Sequence, residues 1–527
     1  MKKILGYILL LMASALAGCH SLGDSDYDDG RLIVGGDTID SLQLCLTFDS
    51  LIALDHDTLP ADRAMRRFYG DQHRICWLTN DGVTDAADTL MAYIGRVGKI
   101  GFEPSQFFCS EISKVRERVD SLDFTEEDVY TTICRMDMLM TKAFLRYAGG
   151  QRYGFANPSK LLNHLDQDKR DTTNIYYRQL YDIPTEVIAR NGYQHLASMA
   201  GTDSVAVVLQ EAEPQSELYQ RLKARLMNGK GGMENGEYAS AGMSEQERCR
   251  IMVNMERCRW RHPHTPADYE KYIMVNIPSY ELLGVDGDST LEMRIVCGSR
   301  DTKTPLLHSE IMRMDVNPQW MVPASVIKHE MARHAGDSAW FARHRYVITD
   351  RKSGDRYNPR HVSREMMERG LVRVAQEGGE GNALGRIIFR FNNNFSIFLH
   401  DTSSKGTFDR MDRRASHGCI RVQKPYELAC FLLDEKDPEL MDKIQYSMTV
   451  SPPKATDGDE DDDDSYDPSR IVHSVKVKPQ VPLFITYYTM FLMPDGRVHT
   501  FPDVYGYDPV IMEKLQPYTR NRTKKSM

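Results

Sequence analysis

The hydrophobic period of this 527-residue chain changes near residue 268. From about 41 to 260, apolar residues recur at steps of three and four, the spacing of one helix face. The clearest stripe is Val129, Ile133, Met136, Met140, Phe144 and Tyr147. It predicts a helix over 125–148, opened by Thr125 and Asp128 as a capping box and stopped by Gly149 and Gly150. A shorter stripe, Leu218, Leu222 and Leu226, is of the same kind. Beyond 268 the reading becomes short strands divided by turn residues. A chain of this length is too long for one core. The fold class expected is therefore α+β: a mainly helical domain over 41–260, then a mainly β domain over 268–506.

Within the β domain, 272–283 and 290–296 read as strands around the turn Gly284-Val285-Asp286-Gly287. Residues 301–375 turn helical and basic, broken by Pro318, Pro323 and Pro359, and read as an inserted cap. Strands resume at 386–391 and 395–400, joined by Asn392-Asn393-Asn394. A helix over 425–434 follows. The acidic run 457–464 lies in a solvated loop over 455–470 and lacks the ligand spacing of a calcium loop. Residues 482–493 and 497–501 read as a hairpin around Pro494-Asp495-Gly496, and 507–527 as a C-terminal tail.

The N-terminus addresses location. Lys2 and Lys3 precede an apolar stretch over 4–17, then Leu16-Ala17-Gly18-Cys19. This is the pattern of a secretory signal peptide over 1–19, too short to span a bilayer. Leu-Ala-Gly-Cys resembles a bacterial lipobox, which implies lipidation of Cys19. A flexible tether over 20–40, rich in Asp and Gly, would then hang the domains in the periplasm from a membrane. His20 rather than Asp after Cys19 leans towards the outer membrane. The net charge of −9 argues against a nucleic-acid partner. Protein partners are not legible. The other cysteines show no CxxC or zinc-ribbon spacing and read as buried thiols.

The chemistry concentrates at Ser416-His417-Gly418-Cys419, followed by Ile420-Arg421-Val422. A thiol attacks as thiolate, so it needs a nearby cation, imidazole or backbone donor. His417 stands two residues before Cys419. Gly418 lets the chain turn and expose N–H groups to an oxyanion. Ser416 could orient an imidazole. His400 ends a strand 17 residues upstream of His417. On the residues alone either histidine could be the base. A zinc site made by His400, His417 and Cys419 is an alternative, although no glutamate accompanies it as a base. A non-catalytic wall-tethering lipoprotein is another.

His400 and the run Ser416–Cys419 resemble the signature of the L,D-transpeptidases of bacterial cell walls, the YkuD-type catalytic domain. The commoner Asn two after the cysteine is Arg421 here, which is similar to the large, scaffold-bearing Gram-negative branch. So are "VNIPSYEL" (275–282), "TPLLHSEI" (304–311), "NPQWMVP" (317–323), "GNALGRIIFRF" (381–391), "FLHDT" (398–402) and "GRVHTFPDVYG" (496–506). The resemblance implies an N-terminal scaffold and a catalytic domain whose 301–375 insertion is a lid, with Trp320 and Pro323 as anchors. A peptidoglycan-binding repeat usual in that branch is not evident between 181 and 260. The resemblance also implies roles: Cys419 as nucleophile on a tetrapeptide stem of peptidoglycan, His400 as base, His417 and Ser416 as supports. Gly418 and Cys419 would supply oxyanion N–H groups, and Arg421 would hold a substrate carboxylate or a structural partner. No cofactor and no metal are implied. The expected product is a 3–3 cross-link; water as acceptor would make a carboxypeptidase, and a protein lysine would make an anchoring enzyme.

Overall fold

The computed structural model describes residues 32–168, 176–189, 191–228, 243–433, 437–450 and 466–520. Cys19 with the signal peptide, part of the tether, the acidic run at 457–464 and the end of the tail lie outside the described residues.

The N-terminal half is built around helix α1 (Val129–Tyr153), buried over most of its length. Helices Ser41–Leu54, Pro60–Gln72 and Cys109–Asp120 pack around it. The N-cap is Asp128, whose carboxylate accepts the Thr131 N–H at 3.0 Å; Thr125 bonds to Asp123 instead, at 2.6 Å. The helix also runs past Gly149 and Gly150. A Cβ on Gly149 would lie 2.7 Å from the Tyr193 ring, and one on Gly150 2.1 Å from Phe155. These glycines are sites of close ring packing, so they do not stop the helix. The stop is Gly154, at φ 82°. Helix α2 (Glu245–Arg259) carries the chain to the second half.

That half is a sheet. Strand β1 (Tyr181–Asp182) comes from the helical half. The others are β2 (Lys271–Asn276), β3 (Glu281–Asp286), β4 (Ser289–Gly298) and β5 (Leu306–Val316). Strands β6 (Trp320–Met321), β7 (Tyr346–Asp350) and β8 (Val372–Gln376) form a separate small sheet. The main sheet resumes with β9 (Ile387–Phe391), β10 (Leu399–His400), β11 (Arg414–Ser416), β12 (Ile420–Val422) and β13 (Ser474–Thr486). Its order is β9-β10-β12-β4-β3-β2-β13-β5, and β9 also pairs with β5, which closes the sheet on itself. β11 pairs with β4 from outside the ring, and β1 adds to β5.

Several boundaries differ from the expected ones. The strand read over 272–283 is two strands, broken at Ile277–Tyr280 where Tyr280 takes φ 56°. The inserted cap does not begin at 301: Leu306–Val316 is a full strand of the main sheet, burying Leu306, Leu307, Ile311, Met314 and Val316. Nor is the cap purely helical, since it holds β6, β7 and β8 beside its short helices. The strand read over 395–400 shrinks to β10, because Asn393 accepts the N–H groups of Phe395 and Ile397 and folds the preceding residues into a loop. Helix α3 (Pro425–Leu432) follows β12. Strands Met490–Leu492 and Val498–Thr500 form the last hairpin. Residues 507–519 are no tail but helix α4 (Tyr507–Thr519), with Tyr507, Ile511, Leu515 and Tyr518 buried.

One apolar core runs from Val34 to Tyr518 through the helical half and the sheet. The seam is also polar. Asn254 on α2 accepts from the Thr489 and Met490 N–H groups, and Arg257 pairs with Asp508 at 2.7 Å. The cap has its own core, formed by Val322, Ile327, Phe341, Ile348, Met367 and Val374. Among the described residues no helix is long and apolar enough to cross a membrane, and no disulfide forms.

Candidate active site

Loop 416–420 doubles back over the end of β4, which pairs with β11 through Gly298↔Ser416 and with β12 through Val296↔Arg421. Its backbone is tied at nearly every step. The Ser416 carbonyl accepts from Ser299 N–H and Thr302 Oγ1, both at 2.9 Å. The Gly418 carbonyl accepts from Thr304 Oγ1 at 2.9 Å. Ile420 N–H donates to the Phe398 carbonyl at 3.1 Å. Gly418 takes φ 118°, open to glycine and strained for other residues. Thr304 is itself fixed: it accepts the Gly298 N–H at 2.9 Å, and its own N–H donates to Tyr505 Oη at 3.1 Å. Tyr505 in turn donates to the Gly298 carbonyl at 2.7 Å. Neither Thr304 nor Tyr505 stood out as a site residue in the sequence. Both lie in the segments shared with the resembling branch, but only the folded chain shows them converging beneath the loop.

The site has a buried half. β10 and β12 run parallel with Leu399↔Ile420 and His400↔Arg421 in register. His400 and Arg421 are therefore cross-strand neighbours, and alternation places Cys419 on the face of Arg421. His400 is 4% exposed, and its Nδ1 has no hydrogen-bond partner among the described residues. Burial first, and the Arg421 guanidinium second, hold its imidazole down to about 4. The Nε of Arg421 is also buried without a partner, and no carboxylate among the described residues pairs with this guanidinium. The neighbouring Asp401 spends its carboxylate on the Arg386 N–H, at 2.8 Å, and on Lys405.

The cation and the backbone donor that the sequence argument asked for both stand near the Cys419 thiol, but burial opposes them. Burial pushes the thiol up to about 11, outweighing the Phe398 backbone amide and Arg421, which both favour the thiolate. Burial thus favours the neutral form of both the thiol and the imidazole, each of which feels the Arg421 guanidinium. An imidazole of this kind can take the thiol proton as attack begins.

The other half faces solvent. The His417 side chain is 63% exposed, and its Nε2 lies 2.9 Å from Glu330 Oε1, a residue of the cap. Ser416 does not reach an imidazole; its hydroxyl donates to the Cys419 carbonyl at 2.5 Å and braces the turn. The Gly418 N–H, expected at an oxyanion, points back at Ser416 Oγ, 3.2 Å away. The Cys419 N–H meets no acceptor among the described residues. Trp320 sits in the cap's own sheet, opposite Gln376, packed on the cap's core. No three His, Cys, Asp or Glu side chains among the described residues converge to hold a metal ion, so the zinc alternative finds no donor set.

Residues 270–441 match the family model of the L,D-transpeptidase catalytic domain, YkuD, and residues 63–226 match that of a scaffold domain. A Haemophilus influenzae protein named "Putative L,D-transpeptidase" is 31% identical over 262 residues, covering 49% of this chain and 48% of that protein. The chain thus spans about half the length of this curated relative. A solved structure titled "Structure of the Ldtfm-avibactam carbamoyl enzyme" is 13% identical and covers 42% of this chain and 76% of its own, at a TM-score of 0.19. The family model falls on the strands and loop that hold Cys419, His400 and Arg421, behind a matched scaffold: residues 270–441 are similar to the YkuD L,D-transpeptidase catalytic domain.

Proposed function

We propose that this protein is a peptidoglycan L,D-transpeptidase in which Cys419 is the nucleophile and His400 the base. The observation that carries the reading is the pairing of His400 with Arg421, two residues after Cys419, with the Nδ1 of His400 and the Nε of Arg421 buried and without a hydrogen-bond partner among the described residues. Unpaired buried polar atoms are costly, and they persist where a ligand completes them. As the thiol attacks the carbonyl between the third stem residue and the terminal D-Ala, its proton passes to His400. The developing oxyanion draws on the Cys419 N–H. Arg421 holds the substrate's carboxylate or the tetrahedral oxygen. D-Ala leaves with the proton from His400, and a thioester remains on Cys419. An amine of a second stem then attacks the thioester and forms a 3–3 cross-link. Lipidation at Cys19 would keep this chemistry at a membrane on the periplasmic side.

The test is mass spectrometry after exposure to a carbapenem, which acylates accessible thiols of this chemistry. A covalent adduct on wild type that disappears in Cys419→Ala supports the nucleophile. Folded wild-type protein without an adduct overturns it. Muropeptide analysis of an expressing host then separates acceptors. More 3–3 dimers support transfer to an amine; more tripeptide stems with unchanged dimers would make water the acceptor.

A further inference from the structure

The cap is a subdomain with one outlying contact. Its stem is fastened through Asn317, whose side chain donates to the Val450 carbonyl at 3.1 Å and whose N–H donates to the Arg386 carbonyl at 2.7 Å beside β9; Asn382 closes the stem on itself by donating to the Pro318 and Glu377 carbonyls at 3.2 and 2.9 Å. Its body, residues 320–376, buries its own core apart from the main one. Apart from bonds to its own stem at 377–383, where the Glu377 N–H donates to the Arg345 carbonyl and the Ala383 N–H to Gln376 Oε1, that body makes one hydrogen bond or ion pair with the rest of the chain among the described residues, Glu330 to His417. Glu330 stands in a wide turn, Ile327–Met331, where the Ala332 N–H reaches back to the Ile327 carbonyl. Single wide turns of this kind recur at functional sites. Here Ile327 and Met331 anchor the turn in the cap's core while Glu330 points away from it.

The pair is exposed on both sides, 63% for His417 and 51% for Glu330, so it contributes little to stability. Its effect is positional. The backbone of 416–420 is fixed by the bonds described above, which leaves the His417 side chain as the part of the loop that the catalytic domain itself does not hold. Glu330 is its only polar partner among the described residues. With Nε2–H donated to the carboxylate, Nδ1 is the ring atom left to accept a proton. His417 faces solvent, the side from which a second stem must arrive, whereas His400 is enclosed.

We propose that Glu330 is a positioning residue for the second half-reaction: by holding His417 from the cap, it makes cap closure a condition for transfer to the acceptor amine. This rests on the transpeptidase reading above. The acceptor nitrogen attacks the thioester carbon, the N–C bond forms, and the C–S bond breaks with its electron pair going to sulfur. The amine's proton passes to Nδ1 of His417 and on to solvent, and the Cys419 thiolate is reprotonated from water. His400 and His417 thus divide the reaction between donor and acceptor.

The experiment separates the two stages, using a tetrapeptide stem as donor and a tripeptide stem with a free side-chain amine as acceptor. Acyl-enzyme formation is read by intact mass and transfer by dimer yield, in wild type, Glu330→Gln, Glu330→Ala, His417→Ala and the double variant. Transfer is expected to fall about 100-fold in His417→Ala and about tenfold in Glu330→Ala, while acylation falls less than about threefold. Glu330→Gln, which keeps an acceptor for Nε2–H, should recover part of the loss and serves in place of Glu330→Ala where that variant does not fold. The double variant should be no worse than His417→Ala alone. Equal losses in both stages, an unchanged transfer rate, or additive losses would overturn the proposal. Wild type that forms no acyl-enzyme would instead overturn the transpeptidase reading itself.

Discussion

The two histidines beside Cys419 occupy opposite environments. His400 is enclosed at 4% exposure between paired strands, next to the Arg421 guanidinium, which no carboxylate among the described residues pairs. The His417 side chain is 63% exposed, and its one polar partner among the described residues is a carboxylate from the cap. Burial and the neighbouring cation keep His400 neutral down to about 4, so it is available as a proton acceptor across the physiological range. Burial by the same physics denies Cys419 its charge at rest. On the proposed reading, the buried half would move a proton during attack, without a pre-formed thiolate.

The largest effect that tests this contrast comes from the buried half. Cys419→Ala should abolish acylation, and His400→Gln should lower it by about 10³-fold or more, well beyond the loss expected from His417→Ala in the same stage. If His417→Ala costs acylation as much as His400→Gln, the division between the halves is wrong. The pH profile sharpens it. His400 must be neutral to accept the proton, so the acid limb of acylation should lie near 4 rather than at the ordinary histidine value near 6.5. The thiol titrates near 11, so alkylation of Cys419 by iodoacetamide should keep rising with pH well past 9.

Arg421→Met comes next, with a loss of about 100-fold in acylation by a peptide donor. Its second signature is a shift. Removing the cation relieves His400, so the acid limb should move up towards 6.5, while the thiol, deprived of a stabilising charge, should titrate higher still. A loss of rate with an unmoved acid limb would restrict Arg421 to substrate contact.

Thr304→Val tests the brace beneath the loop at smaller cost. The side chain is fully buried and satisfies both the Gly418 carbonyl and the Gly298 N–H. Valine keeps the shape and orphans both groups. A stability loss of ~2 kcal/mol is expected in urea denaturation, with acylation and transfer reduced together because the loop serves both halves. A stability loss with no change in either rate would show that the brace does not set the loop's geometry.

Much of the site was legible because its chemistry is local in sequence. Ser416 to Cys419 and Arg421 are contiguous, and His400 ends a strand that hydrophobic residues announce. What failed was long-range. Nothing in 301–316 distinguished the start of a cap from a strand whose partners lie at 387–391 and 474–485. Gly149 and Gly150 carry the signal of a helix end, yet Tyr193 and Phe155 need the space. Ser416 offers a hydroxyl to any neighbour, and only the folded turn directs it to the Cys419 carbonyl. Glu330 is one glutamate in a charged segment until the cap is folded over His417.

The smallest prediction asks whether burial alone can do to a histidine what it does to His400. His308 on β5 serves as the control, because it lies outside the site. Its ring packs against Phe484 at 4.7 Å and His262 at 5.1 Å between centroids. Burial, with His262 and His264 adding to it, depresses the imidazole to about 3. In the unfolded chain the same ring titrates near 6.5. The unfolded state therefore binds the proton first, and folding loses stability as pH falls from about 6.5 towards 3. Partial exposure tempers the effect, so between neutral pH and about pH 4.5 the penalty from this residue should be ~1–2 kcal/mol. His308→Phe removes the titrating group while keeping the ring stack. Its urea midpoint should change little at neutral pH and fall less than that of wild type on acidification. Equal acid sensitivity in the two proteins would mean that enclosure by aromatic rings does not depress an imidazole here, and the low value at His400 would then have to come chiefly from Arg421, which the shift in Arg421→Met measures directly.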